Sequence, residues 1–105
     1  MTEFTLVLTT LPADGDAAVF ARTLVDEGLA ACVSVLPPMQ SIYRWKGEVE
    51  TASERQVLIK TKAASVAALE QRVLALHPYD VPEFLVLGID AGSAAYLSWL
   101  RDSAG

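Results

Sequence analysis

Three features of this 105-residue chain predict an α+β fold. Apolar residues recur at every second position in some segments and at every third to fourth position in others, the periods of strand and helix. Turn formers at Pro12, Gly28, Pro37-Pro38, Gly47, Pro78 and Gly92 divide these segments. The segments follow one another in the order β-α-β-β-α-β-α, two strand-helix halves joined by a β-ribbon. That order is the ferredoxin-like, split βαβ sandwich. Right-handed crossovers then place both long helices on one face of a four-stranded antiparallel sheet, with a C-terminal helix added. Residues 1–105 are read as one domain, because no linker or low-complexity segment interrupts them.

The first strand is Phe4 to Thr10, rich in β-branched residues and closed by Pro12. Asp14 or Asp16 can cap the helix that follows, since a carboxylate accepts the free N–H groups of a first turn. Ala17, Phe20, Ala21, Leu24 and Val25 form the apolar stripe of that helix, and Gly28 suits its C-terminus. A second strand, Ala30 to Leu36, is expected to stop at Pro37-Pro38. Ser41 to Trp45 is extended again, and Gly47 turns the chain into Glu48-Val49-Glu50. With the strand Gln56 to Thr61, these segments make a long, interrupted ribbon over residues 30–61. Ser65 is positioned to cap a second helix with Val66, Leu69, Val73 and Leu76 on its apolar side. That helix ends at His77-Pro78, because the residue before proline avoids the α region. Phe84 to Ile89 is apolar on both faces and reads as a buried strand. Gly92 and Ser93 open the last helix, which directs Tyr96, Leu97 and Leu100 toward the core.

Thirteen acidic residues outnumber eight basic ones, for a net charge of −5. The basic residues are scattered, so nucleic acid and anionic membrane are poor partners. No apolar run approaches the ~18 residues of a membrane span, and no basic segment leads a signal-like stretch. A lone cysteine, Cys32, excludes an internal disulfide framework, and a cytoplasmic location is expected. Hydrophobic residues make up 52% of the chain. A sphere this small has little interior, and helices on one face leave the other face of the sheet open, so self-association is expected.

Few residues here can carry chemistry. Cys32 reads as a small buried hydrophobe, a soft metal ligand, or a nucleophile if a base lies near it. His77 is the only histidine; it reads as a helix C-cap or as a ligand in the stiff segment His77-Pro78-Tyr79-Asp80-Val81-Pro82-Glu83. An intrachain metal site would draw on Cys32, His77 and a carboxylate such as Glu83 or Asp80. A closed structural zinc site is not expected, because no Cys-x-x-Cys and no His pair exist. Phosphate-binding glycine loops and a nucleophile elbow are absent as well. In Ser41-Ile42-Tyr43-Arg44-Trp45-Lys46-Gly47, strand alternation puts Tyr43 and Trp45 on one side and the cations on the other. Two readings fit: a ribbon that packs on a neighbour, or an aromatic wall for a small ligand. Lys60 is a solvated or paired charge, and in a pocket it would bind an anion.

Taken together, Ala31-Cys32-Val33, Tyr43-Arg44-Trp45-Lys46-Gly47, Glu54 with Leu58-Ile59-Lys60-Thr61, the His77–Glu83 segment and Tyr96-Leu97-Ser98-Trp99 resemble the CutA family of divalent-cation tolerance proteins. The resemblance runs through nearly the whole chain in order. It implies a ferredoxin-like subunit in a homotrimer similar to the PII signalling proteins, cytoplasmic residence, and no established catalytic activity. It also implies a response to metal ions, copper or another divalent cation. Carried over by motif, an intersubunit pocket would involve Tyr43, Trp45, Lys60, Tyr79 and Glu83 as ligand-binding residues, with Cys32, His77 and Glu83 toward a metal. The ligand would be a metal ion or small anion. The alternative is a structural trimer that serves as a scaffold for a protein partner without binding metal.

Overall fold

The computed structural model describes residues 2–104. Strands β1 (Phe4–Pro12), β2 (Cys32–Trp45), β3 (Glu48–Lys62) and β4 (Leu85–Gly88) form one antiparallel sheet in the order β2-β3-β1-β4. Helices α1 (Ala17–Asp26) and α2 (Val66–Leu76) cover one face. Their Phe20, Leu24, Leu69 and Val73 pack on Val7, Leu11, Val57 and Ile59 of β1 and β3. The predicted α+β sandwich with three helices is thus the observed one.

Local chemistry explains most boundaries. Asp16, not Asp14, caps α1 and accepts the Val19 N–H at 3.1 Å. Gly28, at φ 74°, ends α1 as anticipated. Its N–H donates to Val25, and the Leu29 N–H donates to Leu24, the paired bonds of a Schellman motif. Lys46 and Gly47 both have positive φ, 50° and 82°, and make the two-residue turn between β2 and β3. Ser65 stands at the N-terminus of α2 but makes no side-chain cap, because a short 3-10 turn (Ala63–Ser65) leads the chain in.

Two strand expectations are corrected. Pro37-Pro38 does not stop the second strand. The register sums change between Val35↔Val57 and Pro38↔Arg55, so one extra residue is absorbed as a β-bulge and β2 continues to Trp45. Prolines are tolerated there because β2 is an edge strand that need not donate on its outer side. Nor is β4 buried: it is the opposite edge, and Leu85, Val86 and Leu87 are 53%, 39% and 44% exposed. Its continuous apolar character therefore does not come from burial within the chain.

Helix α3 (Ala94–Ser103) lies against the face opposite α1 and α2. Strand alternation turns Phe4 and Lys60 away from Val7 and Ile59, and these two residues meet Arg101 and Tyr96 of α3. Leu100 is buried under α3 and Leu97 is half-buried, but Tyr96 stays exposed, contrary to the expectation that it enters the core. Beyond the end of β1, where Pro12 pairs with Glu54, β2 and β3 run on as a two-stranded ribbon. The ribbon stretches the molecule to 44 × 26 × 24 Å.

Candidate functional site

The bulge in β2 determines what the base of the ribbon presents. Directly opposed residues of an antiparallel pair share a face. Before the bulge, Ser34 shares the α3 face with Leu58; after it, Met39 shares that face with Glu54. Thirty-four is even and thirty-nine odd, so the extra residue inverts the alternation of β2. Ser41, Tyr43 and Trp45 thereby join Glu54 and Gln56 on one surface.

The loop after α2 closes the other side. His77 is 8% exposed, and its N–H caps α2 by donating to Val73. Its Nδ1 accepts the Tyr79 N–H at 3.2 Å, so the ring proton sits on Nε2, which donates to the Thr10 carbonyl at 2.6 Å. The imidazole thus pins the loop to β1 and directs Tyr79 inward, 4.8 Å from it between ring centroids. The Tyr79 hydroxyl donates to Glu54 Oε2 at 2.8 Å, and the Thr10 hydroxyl donates to the same oxygen at 3.3 Å. Burial and the neighbouring Glu54 carboxylate push the Tyr79 phenol up to about 12. Further along, Gln56 Nε2 donates to the Thr9 carbonyl at 2.7 Å and to Glu83 Oε2 at 3.0 Å, tying the end of the loop to β3.

Between loop and ribbon lies a cleft of about 600 Å³. Tyr43, Trp45, Tyr79 and Glu83 line it together, as do Thr10, Glu54, Gln56 and Asp80. No lysine, arginine or histidine is among its lining residues.

The remaining residues singled out in the sequence go elsewhere. Lys60 does not reach the cleft. It lies on the same face four positions along β3 from Gln56, about 13 Å away at strand rise. Its Nζ donates to the Tyr96 hydroxyl at 3.3 Å and lies 5.5 Å from the ring centroid. Cys32 pairs with Lys60 in the ladder, and its thiol lies 3.8 Å from the Ser34 hydroxyl. Cys32, His77 and Glu83 are therefore not assembled within one chain: Cys32 is at one end of the sheet, and both His77 nitrogens already have partners. Among the described residues no three His, Cys, Asp or Glu side chains gather in a metal-binding group.

Sequence reasoning assigned no role to Glu54, Gln56 or Thr10. Glu54 and Gln56 stand at strand spacing on the non-core side of β3, but nothing local marks the loop 25 residues away that supplies the partner of Glu54.

The family model for the CutA1 divalent ion tolerance protein matches residues 5–103. The divalent-cation tolerance protein CutA of Thermus thermophilus is 47% identical over 100 residues, covering 95% of this chain and 97% of the relative. Human protein CutA is 42% identical over 92 residues, which span 88% of this chain but 51% of that protein. Among solved structures, the Thermus thermophilus Cut A1 protein superposes with a TM-score of 0.92 at 46% identity, covering 97% of this chain and 99% of that one. A PII-like CutA protein from Nostoc, solved in apo form, gives 0.88 at 36% identity over 96% and 97% of the two chains.

Proposed function

This chain belongs to the CutA1 divalent ion tolerance family, and from that premise we propose that it acts as a PII-like binding and signalling module in the response to metal ions, not as an enzyme. The working form is a cytoplasmic homotrimer, and the ligand enters the cleft at the ribbon base where subunits meet. Copper or another divalent cation is the signal to which it answers. The observation that carries the assembly is the unpartnered apolar edge: Leu85 and Leu87 of β4 stand 53% and 44% exposed on a strand with a free hydrogen-bonding side. The ribbon supports the same reading. A two-stranded ribbon is marginal on its own, and here it holds Ile42 and Val49 in solvent at 66% and 64% exposure. Covering these surfaces with copies of the same chain removes apolar area from water.

Native mass spectrometry of protein purified without chelator or tag, with metal analysis, tests assembly and occupancy at once. The expected mass is that of three chains, and Leu87→Lys is expected to shift it toward one. Titration with Cu(II), Cu(I) and Zn(II) is expected to raise the melting temperature in proportion to RT ln(1 + [L]/Kd). Unmoved melting curves remove direct metal binding.

A second reading is favoured by the absence of a three-donor cluster among the described residues and by the engagement of both His77 nitrogens. It is a structural trimer that presents a platform to a protein partner and binds no metal itself. Under it, Cys32→Ser and His77→Ala leave metal tolerance of the cell unchanged, whereas Leu87→Lys abolishes it.

A further inference from the structure

We propose that the cleft at the ribbon base is a binding site for a small organic ammonium compound, its cationic head held by Glu54 and Glu83 and its apolar body lying on Tyr43 and Trp45. The proposal rests on the binding-module reading above and names the chemistry of its ligand.

Glu54 supplies the first argument. It is 8% exposed, and both of its hydrogen bonds, from Tyr79 and Thr10, fall on Oε2. Oε1 has no hydrogen bond among the described residues, and neither Glu54, Glu83 nor Asp80 forms an ion pair there. Oε1 therefore keeps its acceptor capacity for a group in the cleft, and a cation there meets a carboxylate with no competing counter-charge among the described residues of this chain. Glu83 likewise engages Gln56 through Oε2 and leaves its other oxygen free.

On this chain's side of the cleft charge favours a cation over an anion: three carboxylates line the space and no cationic side chain of the same chain does. Size and donors argue against a bare metal ion. About 600 Å³ is the volume of a site for an organic molecule, and the acidic side chains do not gather as a metal group. The aromatic wall then decides between a compact and an organic cation. Tyr43 and Trp45 are 44% and 43% exposed beside these carboxylates, and aromatic faces attract ammonium groups through their quadrupole. Trp45 already makes one such contact, with the Lys46 ammonium 5.9 Å from its centroid at the hairpin tip.

The test uses the full chain carrying Trp99→Phe, which leaves Trp45 as the single indole emitter. Choline and an alkylammonium are titrated beside 3,3-dimethyl-1-butanol, the uncharged isostere of choline, and beside acetate and Zn(II), with fluorescence and calorimetry as readouts. A saturable response to the ammonium probes and none to the isostere or acetate is expected. Glu54→Gln, which keeps an acceptor for Tyr79, is expected to weaken binding about tenfold, and Glu83→Gln provides a second variant should the first misfold. Equal binding of the isostere, no saturable ammonium response, or affinities unchanged in both variants overturns the proposal. A response to Zn(II) alone overturns the ammonium assignment and leaves the metal-responsive module standing. Ammonium binding by a protein of single-chain mass overturns the trimer and leaves the ligand class intact.

Discussion

Replacing Tyr79 with phenylalanine isolates the contact that closes the cleft. The phenol donates to Glu54 at 2.8 Å, and burial with this carboxylate lifts its pKa from 10.0 to about 12. In the folded protein the neutral phenol is the favoured form. The stability it contributes is therefore complete below pH 10.0 and is lost as pH rises through about 12. The full difference between those values corresponds to about 2.7 kcal/mol, and solvent along one edge of the ring screens it to about 1–2 kcal/mol. A hydrogen bond to a charged acceptor independently suggests about 1.5–3 kcal/mol, trimmed here because Thr10 still serves Glu54 in the variant. Guanidinium unfolding of both proteins, at one subunit concentration and a series of pH values, reads the difference directly. The gap is expected to be flat up to about pH 10 and to shrink above it. A gap that stays constant through that window would refute the coupling of Tyr79 to Glu54.

Three further outcomes are expected. Leu24→Ala removes a fully buried side chain from the helix-sheet core and should cost about 2–5 kcal/mol in denaturant titration. Asp16→Ala deletes the α1 cap and should cost about 1 kcal/mol by the same measurement, with Asp16→Asn retaining most of it. Deleting Pro37 removes the extra residue of the bulge, so Tyr43 and Trp45 pass to the opposite side of the ribbon. A crystal structure of that variant, or loss of the Trp45 response to a cleft ligand, checks it.

The helices, β1 and the C-terminal part of β3 could be read from the chain because the relevant signals are local. Phe20 and Leu24 recur at helical spacing, Gly28 offers the left-handed conformation a helix end needs, and Val57 and Ile59 stand two apart in the apolar run between Gln56 and Lys60. Two strand readings fail because their local signals are ambiguous. Continuous apolar character in Leu85-Val86-Leu87 is shared by buried central strands and by edges left for another surface, and only the sheet order distinguishes them. Pro37-Pro38 carries the same ambiguity, since proline ends a central strand but is accommodated at a bulge on an edge.

The candidate site divides in the same way. Tyr43 and Trp45 on one side of a ribbon, and a stiff loop bearing Tyr79 and Glu83, follow from alternation and from two prolines close together. That these four residues share one cleft, that Lys60 and Cys32 lie outside it, and that Glu54 stands at its base were decided by the tertiary structure. The physical reason is a single extra residue in β2: side chains alternate with period two, so one inserted position carries the aromatic pair onto the face of Glu54. What the sequence by itself determined was the composition of each element; which of their faces meet depended on register, and register is a property of paired strands.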